Sequence, residues 1–271
     1  MKALCHAAAA LALAGAPALH GDTTLLDTGF RHMYNLEFDQ AHRNFQEWDR
    51  THPSDPVGPV SDAAAYLFDQ FDRMKILQSE FFSSDRRFLE QRTASPDPAL
   101  KRQFERSLDK AHRLAAAALA RDPQDADAAF AEILRMGLHS DYLALIERRY
   151  RASLEETKAG REMAENLLAR RPDYGDAYLA IGVENYLLSL KPAPLRWLLR
   201  LGGAQTDRAE GINKLRVTAK RGRYLRPFAR LLLAVAALRE DDRAGARELL
   251  RELAADFPRN PLYREELARL Q

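Results

Sequence analysis

The side chains of this chain best suited to catalysis form one short polar run. His139, Ser140 and Asp141 are the residue types of a hydrolytic triad, in which a base activates a nucleophile and a carboxylate orients the base. Adjacent residues on one helical turn point in different directions, however, and the sequence contains no Gly-x-Ser-x-Gly turn. We therefore interpret the run as a helix boundary with Ser140 or Asp141 as an N-cap, and we expect no catalytic residue there.

The histidines near the start of the chain could bind a metal only if they shared a face. His32, His42 and His52 recur at intervals of ten residues, which turns successive members by about 80° around a helix. The Gly202–Gly203 doublet lacks the following Lys-Ser/Thr of a phosphate-binding loop. The sequence therefore predicts no metal site and no cofactor.

The most unusual charge distribution lies in residues 191–230, which hold 11 basic and 2 acidic residues, whereas residues 22–97 hold 14 acidic and 8 basic. The net charge of the whole chain is only +2, so we expect no nucleic-acid partner. Within the basic segment, the apolar run Leu195–Leu201 would be amphipathic if helical. The candidate binding residues there are Lys191, Arg196, Trp197, Arg200, Lys214, Lys220, Arg221, Arg223 and Arg226.

Two interpretations of this segment stay open. The arginines and the apolar run could together contact lipid headgroups or an acidic partner. Alternatively, Trp197 and the leucines pack into the neighbouring helix pair while the arginines are simply solvated on the outer face.

The elements that must position these residues are helices. Hydrophobic residues make up 46% of the chain, glycine and proline number only 13 each, and Ala, Leu, Arg and Glu dominate. Apolar periodicity predicts an all-α chain, and it extends without a proline over 141–171, which we expect to be one helix. Gly222 is expected to end a helix in the left-handed conformation. The predicted helices lie near 23–36, 39–51, 60–82, 99–121, 125–138, 141–171, 174–190, 207–221, 225–239, 242–256 and 261–270.

A small residue precedes a proline by 12 positions four times, as though a helix crossed its partner closely and then stopped about three turns later. The four pairs are Ala41 and Pro53, Ala111 and Pro123, Gly160 and Pro172, and Ala246 and Pro258. After Pro172, DYGDAYLAIGVENYLL places Tyr178, Ile181, Gly182 and Tyr186 at regular offsets.

These residues resemble the tetratricopeptide repeat (TPR), a helix–turn–helix unit of 34 residues with small and aromatic residues at fixed positions. The run at 210–238 is also similar to segments of exported bacterial repeat proteins. The resemblance implies antiparallel helix pairs stacked as a right-handed superhelix, an α-solenoid of about five pairs plus a C-terminal capping helix. The repeat domain would span 22–271, with a loop at 83–98 and an insertion at 189–206.

Residues 1–18 have the features of a signal peptide. Lys2 precedes an Ala/Leu-rich run that ends in Ala16-Pro17-Ala18, and we expect cleavage after Ala18 and a periplasmic or secreted protein. The run is short for a membrane anchor, which needs about 20 apolar residues. The only cysteine, Cys5, would leave with the leader.

The repeat interpretation predicts a non-catalytic scaffold or adaptor that binds a protein or peptide. Its candidate groove contains Phe30, Met33, Tyr34 and Tyr186, although these side chains could equally belong to the core. The alternative is a protein that binds membrane headgroups or a polyanion through 191–230. A third class, an enzyme whose acid–base pair forms only on folding, is the least favoured.

Overall fold

A computed structural model describes residues 24–77 and 95–270. Of these residues, 79% are helical and none lies in a strand, which confirms the prediction of an all-α chain. The predicted leader and residues 83–94 of the predicted loop lie outside the described residues.

Twelve α-helices occur in the described part of the chain. They are α1 (Leu25–Tyr34), α2 (Phe38–Thr51), α3 (Val57–Arg73), α4 (Pro98–Arg121), α5 (Ala126–Asp141), α6 (Tyr150–Arg170), α7 (Tyr178–Ser189), α8 (Ala193–Leu201), α9 (Arg208–Arg221), α10 (Arg226–Arg239), α11 (Arg243–Asp256) and α12 (Pro261–Arg269). A π-helical turn, Tyr142–Ile146, follows α5, and a 3-10 turn, Gly175–Ala177, precedes α7.

Helices that follow each other along the chain pack against each other. The most extensive contacts join α1 to α2, α3 to α4, α5 to α6, α7 to α9 and α10 to α11, while α12 packs on α11. Helix α8 is inserted between the two members of the fourth pair.

The four small residues of the repeated spacing are all buried, as expected for close helix crossings. Each of their four prolines stands two residues beyond the last residue of a helix, at the ends of α2, α4, α6 and α11. This placement follows from proline, which cannot donate to the helical ladder and restricts the residue before it.

The predicted helix 141–171 is wrong. Helix α5 runs on to Asp141, the π-helical turn follows, and Arg148 adopts a left-handed backbone with φ 56° before α6 begins at Tyr150. The break carries no glycine or proline, so local sequence gives no sign of it. The N-cap role expected at Ser140 or Asp141 is also wrong, because both residues lie in the last turn of α5.

Gly222 ends α9 as predicted but not in the predicted conformation, because its φ is −63° and its ψ is 145°. The glycine is required by space: a Cβ there would lie 2.6 Å from Asp176 Oδ1 and 2.7 Å from the Thr218 carbonyl oxygen. Asp176 accepts hydrogen bonds from the backbone N–H groups of the three residues that follow, 223–225. This buried carboxylate therefore fixes the turn into α10.

Side chains from the two ends of the described chain meet in one aromatic cluster. We call Phe30, Tyr34, Tyr224 and Phe257 the aromatic junction. The Phe30 and Tyr224 rings stack with centroids 4.8 Å apart, and the Tyr34 and Phe257 centroids are 5.4 Å apart. The Tyr34 hydroxyl donates to the Tyr224 carbonyl oxygen at 3.0 Å. The junction thus joins the first helix to the turn between α9 and α10 and to the end of α11.

Candidate functional site

Helix α8 is the described α-helix without a buried residue. Trp197, Leu198 and Leu201 are 64%, 59% and 67% exposed, and Leu195 and Leu187 are also exposed. We call these five side chains the α8 surface. They are five of the seven large apolar side chains that are exposed in the described part of the chain. Exposed apolar side chains scattered singly are ordinary, whereas these five lie within residues 187–201.

The α8 surface results from the orientation of α8. At 100° per residue, its leucines and Trp197 occupy one side of the helix, and Arg196 and Arg200 occupy the other. An Arg196 guanidinium nitrogen donates to the Lys191 carbonyl oxygen at 2.9 Å, and Arg200 Nε donates to Thr206 Oγ1 at 2.6 Å. Both arginines therefore bond to oxygens within residues 191–206, with Arg200 still exposed, while the apolar side chains of α8 point outward rather than into a core.

A buried ion pair between α6 and α7 bonds to the loop that follows α8. Arg161 on α6 and Glu184 on α7 are both buried, and Arg161 Nε donates to Glu184 Oε2 at 3.0 Å. A second guanidinium nitrogen donates to Glu165 at 2.6 Å. Burial raises the pKa of Glu184, and hydrogen bonds from the Gln205 backbone and Arg161 oppose that shift. The pair joins two helices and leaves one carboxylate oxygen for the loop after α8.

That loop is held by several bonds to α6 and α7. Glu184 Oε1 accepts the Gln205 backbone N–H at 2.9 Å, and Gln205 Nε2 donates to Glu165 at 2.7 Å. The Asp207 backbone N–H donates to Asn185 Oδ1 at 3.0 Å. Gly203 adopts φ 82°, a left-handed conformation that glycine reaches without strain. The loop that leaves α8 is thus bonded to α6 and α7, whereas α8 itself makes no extensive contact with another helix.

The remaining predicted basic residues do not extend the α8 surface. Lys214 pairs with Glu210 at 3.0 Å and lies over the Tyr178 ring. Arg223 pairs with Asp27 at 2.8 Å, and Arg226 Nε donates to the Gly222 carbonyl oxygen.

Lys220 and Arg221 are exposed at the C-terminal end of α9. That end lies about 20 Å along the helix from the loop that follows α8. The basic segment 191–230 therefore divides into two separate regions rather than forming one surface.

The predicted groove residues belong to the core. Phe30, Met33, Tyr34 and Tyr186 are all buried, and the first and third of them are part of the aromatic junction. Asn260 Nδ2 also donates to the Tyr34 carbonyl oxygen at 2.9 Å. Of the two alternatives that the sequence left open, the core placement is the one observed, and these side chains present no surface to a partner.

The polar run at the end of α5 does not assemble a triad. His139 Nδ1 lies 2.8 Å from Glu156, whereas Ser140 Oγ lies 2.7 Å from Thr157 Oγ1 and donates to the Ser153 carbonyl oxygen. Burial raises the pKa of Asp141 to about 7. Each member of the run thus has its own surroundings, and none is placed to activate another.

The three early histidines are likewise separate. His32 pairs with Glu37, His52 stacks on Trp48, and His42 Nδ1 lies 2.5 Å from Asp62. Within residues 24–77 and 95–270, no group of three or more His, Cys, Asp or Glu side chains is arranged to hold a metal ion. The partner of His42 was not expected, because Asp62 is 20 residues away and on another helix.

The chain matches no protein-family model, no curated protein and no solved structure. No helix in the two described ranges is both long and apolar enough for a bilayer crossing.

Proposed function

We propose that this protein is a non-catalytic scaffold of TPR-like helix pairs that docks through the α8 surface. The pairing of consecutive helices, the buried small residues and the proline that follows four of the helices support a right-handed superhelix of five antiparallel pairs with α12 as the cap. In such an array each pair buries its apolar face against its neighbours, so an apolar face left outside needs another explanation.

The single observation that carries the docking role is the concentration of exposed apolar side chains on and beside α8. The segment is attached through the loop that follows α8, where the Gln205 and Asp207 backbone N–H groups donate to Glu184 and Asn185 on α7. An outward apolar face attached in this way is suited to binding another surface, because contact would remove its exposed side chains from water.

A peptide-binding groove on the first helices is the weaker alternative. Its four candidate side chains are buried, and the aromatic junction occupies the space between the first and last helices. The polar groups that an enzyme would need are engaged in separate structural pairs. Docking through α8 is therefore better supported than either alternative, because its apolar side chains are exposed.

Co-sedimentation with isolated cell envelopes tests the docking role. We expect the wild-type chain to sediment with envelopes and Leu198→Glu to remain in the supernatant, because a charge in the centre of the α8 surface opposes its burial. Leu25→Glu is the matched control. Leu25 is also an exposed leucine on a helix, but it lies on α1, which contacts the turn after α9 through Asp27 and Arg223.

Equal sedimentation of Leu198→Glu and wild type would remove the α8 surface from the proposal. Thermal unfolding of all three proteins shows whether the variants fold. Export is proposed from the leader sequence alone. Mass spectrometry of the envelope or secreted protein should find a mature start near Leu19, and an abundant cytosolic form that retains Met1 would contradict it.

A further inference from the structure

From the composition and charge of the α8 surface, we infer that it inserts into the interface of an anionic lipid bilayer. This inference rests on the docking role proposed above and names the partner. Trp197 and four leucines form the apolar face, and tryptophan is the residue most suited to the boundary between headgroups and acyl chains. A short helix lying in the membrane plane needs this arrangement, with an apolar face buried about 5–10 Å below the headgroups.

The charges beside the apolar face favour anionic lipid. Residues 185–206 include Lys191, Arg196 and Arg200 and no acidic residue. Lys191 and Arg200 are exposed. Long basic side chains beside an inserted helix can reach headgroup phosphates while their methylene stems lie along the apolar boundary. The base of α8 is already fixed by Glu184 and Gln205, so insertion requires no refolding.

A second copy of the chain is a poorer occupant for two reasons. If each large side chain has about 200 Å² of surface, the five side chains of the α8 surface expose roughly 550 Å² in total. A standard stable interface buries about 800 Å² on each partner. A symmetric contact between α8 helices would also place the exposed Lys191 of both copies in one interface, which is a like-charge contact. A bilayer has neither limitation.

Sedimentation with protein-free vesicles tests the inference on the full chain. We expect binding to phosphatidylcholine vesicles that contain about 30 mol% phosphatidylglycerol, and weaker binding to phosphatidylcholine alone. Binding should decrease as salt rises from about 0.05 to 0.5 M. The fluorescence of Trp197 should shift to shorter wavelength on binding, and Trp197→Phe should abolish that shift, leaving the signal of Trp48 alone.

Two substitutions separate the apolar from the electrostatic contribution. Leu198→Glu should weaken vesicle binding about tenfold or more, since one buried leucine is lost. Lys191→Gln should weaken it about fivefold, and only for anionic vesicles, since one basic residue near the surface is lost. Leu25→Glu is the control, and any binding by residues 1–23 is common to all the variants and cancels in the comparison.

Vesicle binding that is absent in wild type, or unchanged in Leu198→Glu, overturns the lipid inference. If the chain then still sediments with envelopes in a manner that depends on Leu198, the docking role stands and the partner is a protein. If both assays fail, the lipid inference and the docking role fall together.

Discussion

The α8 surface and the aromatic junction contain similar side chains in opposite positions. Around α8, Trp197 and the leucines face outward, and Arg196 and Arg200 bond to oxygens of the same segment. At the junction, Phe30 and Tyr34 are buried against residues about 190–230 positions away. One region is held by a buried ion pair and the other by ring stacking, so the two should respond differently to substitution.

The contrast shows what a helical pattern leaves undetermined. Periodicity identifies the residues that share a face of a helix, but only contacts with distant parts of the chain decide whether that face points inward. From sequence, both Trp197 with its leucines and Phe30 with Tyr34 could belong either to a binding surface or to the core. The structure assigns the core to the junction and the surface to α8.

The largest loss of stability is expected at the junction. Phe30→Ala should lower the free energy of unfolding by about 3–5 kcal/mol, because it removes a buried ring that stacks on Tyr224 and meets Phe45 edge-on. Urea denaturation measures the change. A loss below about 1 kcal/mol would mean that the two ends of the described chain do not depend on each other.

The next largest loss of stability is expected at the Arg161–Glu184 pair. Arg161→Met should cost about 3 kcal/mol at neutral pH, because Glu184 would remain buried without its cation. Since burial already raises the pKa of Glu184, the loss should shrink as the pH falls and that carboxylate takes up a proton. Replacing both residues with methionine should cost less than Arg161→Met alone. A loss that does not vary with pH would contradict this account.

A smaller effect is expected where Arg223 meets Asp27. Arg223→Gln should cost at most about 1 kcal/mol, because the pair is partly solvent-exposed. Burial alone would raise the pKa of Asp27, but hydrogen bonds from Arg223 and Thr24 bring it below its usual value. The contribution of the pair should therefore be present at neutral pH and disappear as the pH falls through that lowered pKa. Thermal unfolding at several pH values measures it.

The smallest effect on stability is expected at Trp197. Trp197→Ala should change the free energy of unfolding by no more than about 0.5 kcal/mol, because the side chain is mostly exposed, yet it should reduce docking. The sequence alone allowed a core role for this residue, with a cost of about 3–5 kcal/mol. Calorimetry together with envelope sedimentation distinguishes a surface role from a core role. A large loss of stability would mean that Trp197 is a core residue like those of the junction.

Local sequence was sufficient for most helix boundaries. The ends of α2, α4, α6 and α11 follow from the proline two residues later, and several starts follow from caps such as Asp207, whose carboxylate accepts the Glu210 backbone N–H. The break near Arg148 was missed because an ordinary residue takes the left-handed conformation there. Helix α8 was recognised only as an apolar run within a predicted insertion.

The site could be predicted only in part. Trp197, Arg196 and Arg200 were identified from composition, but Leu187 was not, because it continues the apolar pattern of α7. The supporting pair could not be inferred, since Arg161 and Glu184 lie 23 residues apart with no motif that links them. The sequence would suggest replacing Arg196, Arg200 and Arg223 with glutamate to test a basic surface. The structure shows that this change would also break the ion pair between Arg223 and Asp27.

The contact between the first and last helices bears on how such a protein can evolve. An open repeat array can gain or lose a unit by gene duplication, because each unit touches only its neighbours. Here Tyr34 bonds to Asn260 and Tyr224, and Arg259 bonds to Asn35 and Glu37, so an extra helix pair in between would separate partners that must meet. Inserting a whole helix pair between these contacts should therefore cost far more stability than lengthening a surface loop.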